Sequence, residues 1–224
     1  MTAVSRSVHR VRSYTVGRYT IRELAGLFLA FSAAGWLWEV GLHMLLDGEL
    51  VNRGTLLGPW LPIYGVGGLL SVLLLKRFAA QPILVFALGA MVSTAIEFAT
   101  GKYLLAVYGL RWWDYSGYPL NVDGLVSLPT ALVFGLGCCA AVYLAAPLLL
   151  RMFRRLPHEA FGLLCALLIG LFALDFCVST LHPNTGQGVV IRAPEQSGMQ
   201  VIEPARIETL LHLSLIHISE PTRP

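Results

Sequence analysis

The chain has 224 residues, of which 56% are hydrophobic and 13% charged, against ~25% charged in an average soluble domain. That composition excludes a water-soluble globular domain and points to helices that cross a bilayer, each needing ~20 mostly apolar residues. The net charge of +3 calls for no nucleic acid: the basic residues read as orientation signals and contacts to anionic lipid head groups.

Residues 1–23 form a basic cytoplasmic segment with Arg6, Arg10, Arg12, Arg18 and Arg22. The first apolar run, Leu24–Leu46, is too long for a signal-peptide core and lacks a clear cleavage site after it, so it reads as a retained span. It carries a small-residue ridge, Gly26, Ala30 and Ala34, that lets a second helix approach closely. It also carries Glu39 and, four residues on and therefore on the same face, His43. Next comes NRGTLLGPWLPIYG (Asn52–Gly65). Its prolines remove backbone donors and its glycines loosen helix, so irregular backbone is expected there. Such backbone persists at membrane depth only where protein or a polar cavity satisfies it.

The second run is Trp60–Leu75, the third Pro82–Thr100 with Glu97 inside it. The outer loop RWWDYSGYPLN (Arg111–Asn121) supplies head-group aromatics, Trp112, Trp113, Tyr115 and Tyr118. Its Arg111, Asp114 and Asn121 fit better with a loop folded onto the membrane site. The fourth run is Val126–Leu150. The fifth, Phe161–Leu181, carries the ridge Gly162, Ala166 and Gly170, and Asp175. The predicted fold class is an all-α polytopic transmembrane helix bundle of about five spans, covering residues 24–182. Basic residues accumulate before the first span and after the second and fourth, which puts the N-terminus inside. Residues 183–212 are then an extracytoplasmic polar tail. Leu213–Arg223, LSLIHISEPTR, looks like the translation of a sequencing-library adapter, and residues 213–224 are set apart from the fold as a probable artefact of sequence assembly.

Glu39, Glu97 and Asp175 lie 14 or 15 residues past the cytoplasmic start of their runs, which places all three about 22 Å into a ~30 Å core. Left facing lipid, each would cost ~2.5–3.5 kcal/mol, so they are expected to face the bundle interior. Arg53, Arg111, Tyr64, His43 and the backbone of the Pro/Gly block are their candidate partners, and Asn52 joins the candidate polar site. A purely structural role, carboxylates clamping helices together, explains the same pattern. The Glu39/His43 spacing alone is a weak metal signal, and Cys138, Cys139, Cys165 and Cys177 read as packing residues. No metal, cofactor or catalytic residue is assigned.

The succession GWLWE (Gly35–Glu39), NRGTLLGPWLPIYG, EFATG (Glu97–Gly101), RWWDYS (Arg111–Ser116) and NVDG (Asn121–Gly124) resembles, in order and spacing, the bacterial ABC-transporter permease family called type IV. The resemblance covers roughly Phe31 to Pro147. It implies a small multi-pass protein of the bacterial inner (cytoplasmic) membrane. It maps family motif positions onto Glu39, Asn52, Arg53, Gly54, Gly58, Pro59, Pro62, Tyr64, Gly65, Glu97, Gly101, Trp113, Asp114, Tyr115, Asn121 and Gly124. The chain departs from the pattern at Leu105, where an acidic residue is usual, and at Leu125, where a basic one is.

A transport component is the function expected first. The chain carries no GxxxxGK[ST] phosphate loop, so an ATP-driven permease would need a separate ATPase subunit or other membrane protein as partner. Proton exchange at the carboxylates is the other available drive. A membrane-embedded enzyme acting on a lipid-linked or envelope substrate, or a non-catalytic subunit of a membrane complex, are the alternatives.

Overall fold

The computed structural model describes residues 15–16, 19–46, 48 and 50–185. Most of the basic N-terminal segment, the tail from 186 and the adapter-like string lie outside the described residues. The described part is an all-α bundle. A short antiparallel pair, β1 (Thr15–Val16) and β2 (Tyr19–Thr20), leads into α1 (Ile21–Leu46). Thr20 and Glu23 start α1 as a reciprocal cap: the Thr20 N–H donates to Glu23 Oε2 at 2.8 Å and the Glu23 N–H to Thr20 Oγ1 at 3.2 Å.

α2 (Pro62–Leu70) runs on as a π-helical turn, Ser71–Leu75, and a 3₁₀ turn, Lys76–Phe78. α3 spans Pro82–Tyr108. α4 (Leu128–Ala140) passes through a second π turn, Ala141–Ala145, into α5 (Ala146–Phe153), and α6 spans His158–Leu181. Four helices are long and apolar enough to cross a bilayer: Ile21–Leu45, Pro82–Tyr108, Leu128–Phe153 and His158–Leu181. The segment from Pro62 to Phe78 is the fifth and shorter one, about 25 Å at an α-helical rise and so short of a ~30 Å core.

The helix ends follow from their residues. Pro62 and Pro82 stand at first helical positions, where a missing N–H costs nothing. Ser127 and Thr130 form a capping box before α4. Gly109, at φ 68°, ends α3 in the left-handed conformation, its N–H donating to the Leu105 carbonyl. One boundary differs materially from the reading of the sequence. α3 runs eight residues past Thr100: Lys102 stays in the helix with its side chain donating to Asp123 Oδ2 at 2.6 Å, and the segment after it stays helical up to Gly109. Glu97 therefore sits near the middle of its helix, still 15 residues after its start at Pro82.

Neither π turn was foreseen. Pro147 has no N–H to give to Tyr143, so the ladder loses a bond at the end of the second turn. At the first, Ser71 Oγ donates to the Gly67 carbonyl at 2.7 Å and competes with the backbone. The two turns pack against each other, with Val72 and Val142 at 1% and 0% exposure.

Glycines set the helix spacing. A Cβ on Gly35 would fall 2.2 Å from Tyr64 Cγ, and one on Gly65 2.1 Å from Ser32 Oγ, so α1 and α2 touch backbone to side chain. Gly89 does the same for α3 against Cys138 of α4. Of the small-residue ridges, Gly26 receives the stacked rings of Phe153 and Phe161, and Gly162 receives the Arg22 guanidinium. All four cysteines are free thiols. Leu163, Leu167, Leu171 and Leu174 of α6 are exposed, as suits a face turned to lipid.

Candidate functional site

From Asn52 to Leu61 the Pro/Gly block is an arch without helix. Asn52 holds its base: Trp36 Nε1 donates to Asn52 Oδ1 at 2.7 Å and Asn52 Nδ2 donates to the Leu57 carbonyl at 3.0 Å. Gly54, at φ 93°, makes a turn that a side chain would strain, and Leu61 fills the space beside it. Pro59 has no N–H, and the next one, Trp60's, turns back to the Gly58 carbonyl at 2.9 Å. The Leu61 N–H donates to the Ser32 carbonyl of α1 at 3.0 Å, and Pro62 then opens α2.

Asp175 holds this arch to α6. Its Oδ1 accepts from the Leu57 N–H at 3.1 Å and Ser179 Oγ at 3.0 Å, its Oδ2 from the Gly58 N–H and Trp60 Nε1, both at 2.8 Å. Four donors saturate the carboxylate. A Cβ on Gly58 would lie 2.8 Å from Asp175 Oδ2, which explains that glycine. Asp175 was grouped with Glu39 and Glu97; the structure puts it among the donors of the arch and apart from the cavity those two line.

Glu39 and Glu97 come together around that cavity, of about 450 Å³. Tyr64 donates its hydroxyl to Glu39 Oε1 at 2.5 Å, and Arg53 Nε stands 3.7 Å from Glu39 Oε2. Arg53 Nη2 also donates to the Trp112 carbonyl at 3.0 Å, tying the arch to the outer loop. Glu97 is 4% exposed; Tyr115 donates to its Oε1 at 3.0 Å, and its Oε2 has no hydrogen-bond partner among the described residues. Burial first, and then the nearby Glu97, push the Tyr115 phenol well above its usual range, so at neutral pH it acts only as a protonated donor. Trp38, Trp112, Trp113 and Phe134 give the cavity aromatic walls. At its floor, Cys138 Sγ lies 3.1 Å from Ser71 Oγ and 3.2 Å from Ser93 Oγ.

The remaining predicted residues build the loop that carries Tyr115. Arg111 Nη1 donates to the Asp123 carbonyl at 2.7 Å and stands 3.9 Å from Asp114 Oδ1. Asp114 caps Ser116. Asn121 Nδ2 donates to the carbonyls of Ser116 and Tyr118, and Trp113 Nε1 to that of Leu125. Gly124, at φ 66°, faces Asp114 and Arg111 so closely that no Cβ fits. Gly101 takes the Leu125 side chain, which is 1% exposed. The departure at Leu125 is thus an apolar plug between loop and α3. Outside the spans, the Lys102 hydrogen bond and charge hold Asp123 below the usual carboxylate range.

Three contributions escaped the sequence reading. Tyr115, classed as a motif residue, binds Glu97 directly. Asn184, in a stretch expected to be tail, donates to the Asn52 and Gly54 carbonyls at 3.0 and 3.2 Å. Ser71, Ser93 and Cys138 form the polar floor, and their only signal was small polar residues inside apolar runs. Among the described residues no group of three or more His, Cys, Asp or Glu side chains could hold a metal ion.

A second cavity, about 490 Å³, lies beside the paired π turns, lined by Val72, Val142, Ala146, Lys76, Arg151 and Arg154 among others. Arg154 Nε pairs with Glu23 Oε1 at 2.7 Å.

Searches among curated proteins and among solved structures found no match. The family described as "Putative ABC-transporter type IV" matches over residues 26–180, which takes in the arch, both cavity carboxylates, the Tyr115 loop and both π turns. The chain belongs to that family.

Proposed function

We propose that this chain is a permease-like transport component, multi-pass in a bacterial inner (cytoplasmic) membrane with its N-terminus inside, and that the cavity between Glu39 and Glu97 is its substrate site. The observation that supports this reading is that two cavities stand in series. The first reaches down to Ser71 and Ala141, and the second starts at Val72 and Val142. One layer of side chains, carried by the paired π turns, separates them. Such turns recur at functional sites. Shifting either by one residue would exchange a valine of the barrier for the smaller Ser71 or Ala141. As the chain carries no GxxxxGK[ST] phosphate loop, an ATP-driven permease would need a separate ATPase subunit as partner; the cavity carboxylates offer proton exchange as the other drive.

Thiol labelling tests this. Cys139, Cys165 and Cys177 are replaced by alanine, leaving Cys138 on the floor of the first cavity. A small membrane-impermeant methanethiosulfonate is then applied to right-side-out and to inverted vesicles. Labelling of Cys138 from both faces, faster from outside, is the expected result. Labelling from one face only, however long the exposure, would overturn the transport reading.

A further inference from the structure

We infer that the Glu39–Glu97 cavity takes an organic ammonium ion with an apolar body, and that this cation competes with a proton for Glu97. The inference rests on reading the cavity as a ligand site and adds the ligand's chemistry.

Charge within the cavity decides the sign. Among the described residues lining it, the charged ones are Glu39, Arg53 and Glu97. Arg53 lies against Glu39, whose other oxygen accepts from Tyr64. Among the described residues no cation is paired with Glu97. It is 4% exposed, accepts one bond from the Tyr115 hydroxyl, and leaves Oε2 without a partner among the described residues. An ionised carboxylate accepts through two oxygens, and one left bare in a low-dielectric site is costly. Either a proton or a bound cation removes that cost, and the two exclude each other at one carboxylate.

The walls decide the rest of the ligand. Trp38, Trp112, Trp113 and Phe134 surround the polar end with aromatic surface, which suits an apolar body and attracts an ammonium group through the ring faces. A metal ion is a poor alternative, since no group of three or more ligating side chains is present among the described residues. An anion would find Arg53, but Arg53 already serves Glu39 and the Trp112 carbonyl.

The groups facing Glu97 from its neighbours are Glu39 of α1, Arg53 of the arch, Tyr64 of α2, Cys138 of α4 and Tyr115 of the loop. Tyr115 stays protonated, as argued above. Glu39 is the other group whose titration could imitate that of Glu97, so the test separates the two.

The full chain in lipid nanodiscs is titrated calorimetrically with 2-phenylethylammonium, 2-phenylethanol and 3-phenylpropionate, in buffers of different ionisation enthalpy. The ammonium is expected to bind at least ten-fold more tightly than the alcohol at high pH. Its affinity should fall ten-fold per pH unit once Glu97 is protonated in the free protein, with one proton released on binding. Glu97→Gln keeps an acceptor for Tyr115 and should erase both the preference and the proton release while alcohol binding persists; Glu39→Gln, which leaves the Arg53 cation without its carboxylate, should weaken binding of the ammonium but keep its proton release. Equal binding of ammonium and alcohol, tightest binding of the carboxylate, or a pH dependence that follows Glu39→Gln overturns this inference and leaves the ligand site standing. Failure of all three probes to bind overturns the ligand site as well. Should the variants not fold, the wild-type comparison of three probes at two pH values still decides between a cationic, a neutral and an anionic ligand.

Discussion

Asp175→Ala is expected to cost the fold on the order of 3–5 kcal/mol, because it strips four donors of their common acceptor at once. Leu57, Gly58, Trp60 and Ser179 all point at that one carboxylate, and two of the four donors are backbone N–H groups of an arch with no ladder of its own. Losing it frees Asn52–Leu61 from α6 and with it Arg53 from Glu39. Folded yield and thermal unfolding in detergent measure this. Asp175→Asn, which keeps one acceptor oxygen, should fall between the two. Glu97→Gln should unfold as the wild type does, since it keeps the Tyr115 contact. An Asp175→Ala chain as stable as the wild type would show that the arch holds without its anchor.

Gly35→Leu is expected to separate α1 from α2 and to empty the site of its geometry. The added Cβ alone would sit 2.2 Å from Tyr64 Cγ and 2.5 Å from Tyr64 Cβ. Tyr64 Cβ is fixed to its backbone, so the ring cannot turn away and the helix must move. Overpacking of this kind costs about 1–3 kcal/mol, and the leucine should reach or exceed the upper figure, with Gly35→Ala milder. Because Tyr64 carries the hydroxyl bound to Glu39, ligand binding in the cavity should weaken even where the chain still folds. Unfolding temperature, read beside binding of the three phenyl probes, separates the two effects. Wild-type values for both in Gly35→Leu would mean that the helices are not packed as tightly as the structure has them.

Much of the architecture was legible in the residues. Apolar run length alone marked the five helical segments, since backbone polar groups in lipid must be satisfied within helices. The irregular arch was readable from Gly54, Gly58, Pro59 and Pro62, each of which now has a local reason to be there. That Glu39 needs polar partners followed from the cost of leaving a carboxylate in lipid, and the structure supplies them in Arg53 and Tyr64. The grouping of Asp175 with them did not follow. A count of residues along a helix gives depth, but no direction around the axis. Asp175 shares a level with the arch and turns toward its N–H groups. The length of α3 depends on tertiary structure in the same way: the apolar run ends at Thr100, while the helix continues to Tyr108, with Lys102 paired to Asp123, 21 positions away.

What the sequence by itself determined is the class of protein, the family, and which polar residues could not face lipid. Those depend on composition and on local backbone chemistry, which each residue carries wherever the chain puts it. The tertiary structure alone decided which carboxylate is saturated and which is left half-satisfied. Asp175 meets four donors while Glu97 meets one, although both are single acids in apolar helices. It alone also decided that two π turns, on helices far apart in sequence, stand back to back between two cavities. Those outcomes depend on how helices rotate and pack against one another, and glycines such as Gly35, Gly65 and Gly89 set that packing through contacts with residues distant in the chain.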